Sequence, residues 1–152
     1  MTNVSEILQD ELSILKNDII ERHKAAGQVA SGKTLSLFET NLTSDSSGQL
    51  LGAGYVGVLE SGRRPGKVPF GFSDILKRWA AAKGLSFASE QDANRWAYFV
   101  SKKIREEGTV LYRSGRNEDI FTTAIDDFSN RLSNRIGALL TEQISNEIFN
   151  FK

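Results

Sequence analysis

The sequence predicts an α+β fold in a single domain spanning residues 1–152: an N-terminal helix, a small antiparallel sheet, and a helical hairpin and long C-terminal helix packed on it. Three observations carry this. Apolar residues recur at helical spacing in four stretches, over residues 4–19, 75–80, 93–104 and 120–148. Between the first two, leucines alternate with threonines and serines on either side of a turn cluster, a strand pattern. The length, 152 residues, is that of about one domain and buries a core without disulfide or metal staples.

Composition narrows the function classes. With 39% hydrophobic and 25% charged residues the chain is a globular protein, and nothing in it favours disorder. Its 19 basic residues match its 19 acidic ones, which argues against a dedicated nucleic-acid binder while leaving local basic loops open. Cysteine is absent, so disulfides, thiolate nucleophiles and cysteine metal sites go together, and the single histidine, His23, excludes a multi-histidine metal site. No apolar run approaches about 18 residues, and the N-terminus is acidic and amphipathic where a signal peptide is basic then apolar. The expected setting is a cytoplasm, with no membrane contact, and the sequons at Asn3 and Asn41 carry little meaning there.

The first helix is expected from about Ser5 to Ala26, with Val4, Leu8, Leu12, Leu15 and Ile19 on one face and Ile7 and Ile14 widening it. Gly27 ends it, and His23 is read as a solvated residue of its last turn. Residues 27–34, Gly-Gln-Val-Ala-Ser-Gly-Lys-Thr, satisfy the phosphate-loop pattern. That loop works only between a buried strand and a following helix, so that amides and a helix N-terminus converge on the phosphates. Here a polar-faced helix precedes it, and Thr34 to Leu42 reads as a strand. The segment is read as a flexible connection.

Asp45-Ser46-Ser47-Gly48 forms a turn and Gln49 to Ala53 a second strand, making a hairpin over 34–53. Tyr55 to Leu59 allows either a strand or one helical turn, because Gly52, Gly54 and Gly57 weaken its strand-like composition. Then comes the most distinctive exposed feature, the charged loop from Glu60 to Lys67. It sets Arg63, Arg64 and Lys67 among Gly62, Pro65 and Gly66, which shape the backbone while the cations stay outside the core.

Ser73 is the expected N-cap of a helix carrying Ile75, Leu76, Trp79 and Ala80, stopped at Gly84, with Trp79 read as core. Ser89, with Asp92 three residues on, opens a second helix through Ala93, Trp96, Ala97, Val100 and Ile104 to Gly108. The two form the helical hairpin; Lys102, Lys103 and Arg105 among Glu106 and Glu107 are its solvated face. Val110 to Arg116 is a short polar link and Asn117 a cap. From Ile120 an apolar residue returns every three or four positions through Ile148, a helix of near 30 residues and about 45 Å. A globule of this size is roughly 35 to 40 Å wide, so the helix must bend, near Ser133 to Gly137, or reach out and find a partner for its stripe.

The order of these features is familiar. Ser31 to Leu35 leading into a strand, Gly54-Tyr55, the run Leu59-Glu60-Ser61-Gly62-Arg63-Arg64-Pro65-Gly66, a Pro-Phe pair before the helix of Trp79, and the ending Ile104 to Thr109 cover most of the chain. Together they resemble the minor tail component family of tailed bacteriophages, the small neck or tail-completion proteins that join head to tail. The resemblance implies an α+β subunit of a homo-oligomeric ring, hexamer or dodecamer, on the axis through which the genome passes. It implies residence in the virion neck or tail after synthesis in the bacterial host cytoplasm, beside neighbouring connector, portal or tail proteins, with transient non-specific contact with DNA. It implies no enzyme activity, no cofactor, and no catalytic or metal residue. It also implies a short helix at Tyr55 to Leu59. The helical pair from Ser73 to Gly108 is larger than the single helix of the shortest relatives, which leaves ring size and station in the neck open.

The candidate subunit interface is therefore Glu60, Arg63, Arg64 and Lys67 in the loop, with Ile144 and Ile148 on the last helix. Two alternatives stand beside it. One is a nucleic-acid module in which Arg63, Arg64 and Lys67 work with Phe70 and Phe72 as stacking groups. The other is a nucleotide-binding protein using residues 27–34.

Overall fold

The fold is described for residues 3–150 by a computed structural model. Asn3 opens helix α1, Val4–Ala25, with a reciprocal cap: its side chain accepts the Glu6 N–H at 2.9 Å and its N–H donates to the Glu6 carboxylate at 3.2 Å. The buried stripe of α1 runs Ile7, Leu8, Glu11, Leu12, Leu15, Ile19, His23. A single helical turn, α2, Lys33–Ser36, leads to strands β1, Glu39–Ser44, and β2, Ser47–Leu51, which pair antiparallel around Asp45-Ser46. Then follow α3, Gly57–Ser61; α4, Phe72–Ala82; α5, Glu90–Glu107; α6, Val110–Ser114; and α7, Thr122–Phe149. The architecture is α+β, with α4 and α5 as the helical hairpin.

The centre of the fold is α1, which packs on both strands and along α7. Gly48 lets the hairpin come this close, since a Cβ there would stand 2.5 Å from Leu12 Cδ1. Leu15, Ile19, Phe38, Ile120 and Ala124 form the core where α1, the entry to β1 and the start of α7 converge. Phe38 meets Phe121 at 6.3 Å between ring centroids. Burying an aliphatic side chain such as Ile19 or Ile120 contributes roughly 1.5–3 kcal/mol.

Ion pairs set the register of α1 against α7. Arg22 bonds Asp119 at 3.2 Å and reaches Asp127 at 3.8 Å, while Arg135 bonds Asp10 at 3.2 Å at the other end, so the helices are antiparallel. Between them Glu11, 1% exposed, takes Arg131 at 2.8 Å and Arg135 at 3.0 Å. Continuing that register places Val4 opposite about residue 141. The last eight or so residues of α7, roughly 12 Å, therefore have no α1 beside them.

Several expectations need correction. The strand read from Thr34 begins only at Glu39. Gly32, at φ 76, starts α2 instead, the Ser36 hydroxyl donates to the Lys33 carbonyl at 2.8 Å, and the turn delivers Phe38 into the core at 3% exposure. The second strand starts at Ser47 and stops at Leu51, because the turn uses two residues. The link from Val110 is helix α6, capped by Thr109, and α4 starts at Phe72 behind Gly71, φ 70, with no side-chain cap from Ser73. Asn117 holds a turn by accepting the Asp119 N–H at 2.8 Å; the first amides of α7 go to Glu60 and Asp119.

His23 is buried at 2% exposure, on the same stripe as Ile19, and neither ring nitrogen has a hydrogen-bond partner among the described residues. Trp79 is 44% exposed, because Leu76 and Ala80 take the inward positions of α4. Helix α7 runs through Ser133 to Gly137 without a break and reaches past α1. Tyr55 to Leu59 contributes to a short helix, α3, two residues later than its expected start. No helix among the described residues is long and apolar enough to cross a membrane.

Candidate functional site

Helix α3 ends at Gly62, whose φ of 80 turns the chain into Arg63-Arg64-Pro65-Gly66-Lys67 and lays it against the end of α5. The Arg63 N–H donates to Thr109 Oγ1 at 2.9 Å, and the Thr109 N–H donates to the Arg63 carbonyl at 3.0 Å. A third link runs from the Gly66 N–H to the Arg105 carbonyl at 2.8 Å. Only glycine fits the contact points. A Cβ at Gly62 would lie 2.4 Å from the Tyr112 amide nitrogen, and one at Gly108, φ 82, would lie 2.6 Å from the Arg63 carbonyl oxygen. Two segments far apart in sequence, Gly62–Gly66 and Ile104–Thr109, thus form one knot.

The four polar candidates divide within it. Glu60 faces its own fold: its carboxylate accepts the Thr122 N–H at 3.1 Å, and its carbonyl accepts the Glu118 N–H at 2.9 Å, anchoring the start of α7. Arg63 also folds back, donating to the Lys67 carbonyl at 2.7 Å and standing over the Phe72 ring at 5.9 Å. Arg64 and Lys67 are exposed, and neither takes part in an ion pair among the described residues. They line an open cavity of about 400 Å³ with Val58, Ser61 and Pro65. Two cations therefore stand free on a loop fixed at both ends.

The apolar candidates lie elsewhere. Ile144 and Ile148, 57% and 65% exposed, sit on the overhang of α7 with Leu140 at 47% and Phe149 at 79%. Ile144 is about 33 Å along the helix from Thr122, where Glu60 is anchored. The six candidates form two surfaces at opposite ends of α7. The chain matches no family model, no curated protein and no solved structure.

The 27–34 segment follows helix α1 directly, and the helix after it has four residues. Fold contacts also occupy it. Lys83 Nζ donates to the Gly27 carbonyl at 2.6 Å and Gln28 Nε2 to the Leu59 carbonyl at 2.7 Å. Phe72, one of the two stacking groups of the nucleic-acid alternative, lies under Arg63, while Phe70 is fully exposed.

Sequence reasoning passes over two features. The Glu11, Arg131 and Arg135 cluster joins residues 120 and more positions apart, and only the inward position of Glu11 on the α1 stripe signals it. Tyr98 and Phe99 lie off the apolar stripe of α5 and are 60% and 58% exposed. Their adjacency outside the period of the buried residues is the available signal.

Proposed function

We propose that this chain is a structural subunit of a bacteriophage head–tail connector or tail-completion ring through which DNA passes, and that it carries no catalytic centre. The observation that supports this reading is the knot between Arg63 and Thr109. It joins two of the segments that carry the family resemblance, and it leaves Arg64 and Lys67 exposed on a loop pinned to the end of α5. Two unpaired cations on a backbone that is tied down suit recognition of carboxylates on a neighbouring subunit, where they supply register more than energy. The free end of α7 supplies the apolar part of a contact. Equal numbers of acidic and basic residues suit a lumen through which DNA must slide without being held.

Mass measurement tests the reading, on the purified protein in solution and on assembled particles. A ring-sized species in solution and a fixed copy number per virion are expected. A chain that stays monomeric at high concentration and is missing from virions would overturn it.

A further inference from the structure

Two exposed apolar faces on this chain differ in shape and in charge. One is the end of α7, where Leu140, Ile144 and Ile148 repeat every fourth residue and Phe149 follows. From Ile136 to Phe149 the charged side chains are Glu142 and Glu147, both exposed and both acidic. The other is the outer side of α5. Tyr98 and Phe99 pack there edge to face, with ring centroids 5.7 Å apart and planes at 71°. Arg95 lies one turn before them, and Lys102 and Lys103 one turn after, all exposed. Of the three cations only Lys103 has an ion pair among the described residues, a long 3.9 Å contact with Glu107.

We infer that the end of α7 of one copy docks on the outer face of α5 of the next copy. A helix end whose aliphatic stripe is bordered by Glu147 and whose charges are all acidic is complementary to an aromatic pair flanked by cations, and one contact covers both exposed faces at once. The surfaces are different, so the contact is head to tail. Each copy keeps one face free for a further neighbour, and the contact repeats into a closed ring or an open filament. The exposed aromatics and cations of α5 also have the chemistry of a single-stranded nucleic-acid platform. That occupant would leave the acidic end of α7 uncovered, whereas a second copy satisfies both. Closure into a ring rests on the function proposed above; the pairing of the two faces does not.

Two variants with exposed substitutions test the pairing: Ile144→Asp with Ile148→Asp on α7, and Phe99→Asp with Lys102→Glu on α5. Circular dichroism verifies that each is folded, and light scattering gives its mass. Each variant alone is expected to be monomeric. Mixed in equal amounts they are expected to form a dimer and stop there, because the mixture holds one intact α7 end and one intact α5 face. Charge reversal supplies a second arm: Glu142→Lys with Glu147→Lys, or Lys102→Glu with Lys103→Glu, each weakens association about tenfold, and all four in one chain restore it. Variants that still assemble like the parent would overturn the inference and leave the ring reading standing. Monomers that fail to pair when mixed would overturn it too. An α5 variant that assembles normally but no longer binds single-stranded DNA would assign that face to nucleic acid. A parent chain that never associates would end both readings.

Discussion

Arg63 and Thr109 hold each other by two hydrogen bonds, the Arg63 N–H to Thr109 Oγ1 at 2.9 Å and the Thr109 N–H to the Arg63 carbonyl at 3.0 Å. The same threonine hydroxyl accepts from the Tyr112 N–H at 3.4 Å and so caps α6. One side chain ties the charged loop to the helix after it, and this fixes where Arg64 and Lys67 stand. Thr109→Val keeps the shape and removes the acceptor, and is expected to cost about 1–2 kcal/mol in urea unfolding. Gly108→Ala forces a Cβ to 2.6 Å from the Arg63 carbonyl at positive φ and is expected to cost more, about 2–4 kcal/mol. Losses within about 0.5 kcal/mol for both would mean that the knot does not hold the loop.

Arg63 and Arg64 are neighbours with different partners, so their substitutions should separate. Arg63→Ala removes the bond to the Lys67 carbonyl and the contact with Phe72, and is expected to lower stability by about 1 kcal/mol. Arg64→Glu with Lys67→Glu touches no internal contact and is expected to leave the unfolding midpoint in place while reducing assembly. Sedimentation of the double variant reads the second effect, and normal assembly would remove the loop from the interface.

Glu11 predicts an asymmetry between partners. Burial alone pushes its carboxyl up, but the hydrogen bonds and charges of Arg131 and Arg135 outweigh that and hold it below the ordinary value of 4.5. Arg131→Ala with Arg135→Ala strands a buried carboxylate and is expected to cost about 3–5 kcal/mol. Glu11→Leu leaves two partly exposed arginines and costs less. The cluster's contribution is complete above pH 4.5 and is lost as the pH falls from there through the lower folded-state value. Equal losses for the two variants in urea unfolding would contradict this.

His23 gives a second acid-sensitive step at higher pH. Burial, helped by the charge of Lys83, pushes its imidazole below the ordinary value of 6.5. Below that pH the unfolded chain takes up a proton that the folded chain refuses, so stability falls as the pH drops from 6.5. His23→Leu removes both the proton and the two unpartnered ring nitrogens. The variant is expected to melt no lower than the parent at neutral pH and to lose less on going to about pH 5.5. Parallel melting curves for the two proteins across that range would refute it.

What was legible in the chain was what local chemistry decides. Ser89 caps α5 by accepting the Asp92 N–H, Gly108 closes it, and Gly27 and Gly84 take the left-handed positions after α1 and α4. Periodicity likewise locates the four long helices. It fails where a distant contact chooses between two local options. Leu35 and Leu37 alternate as a strand would, yet the need to bury Phe38 against Phe121 makes the turn before it helical. His23 resembles a solvated helix end until Lys83 and the connection at Gly27 close over the last turn of α1. The candidate site was half legible for the same reason. Loop composition marks Arg64 and Lys67 as exposed, but nothing near Glu60 or Arg63 in sequence shows that Thr122, Lys67 and Phe72 occupy them.

Imaging the purified protein by electron microscopy tests the proposed closure of identical copies into a ring around a DNA-sized opening. Class averages of a closed ring with six- or twelve-fold symmetry and an open centre are expected. Single compact particles of one subunit at every concentration that remains soluble would contradict it.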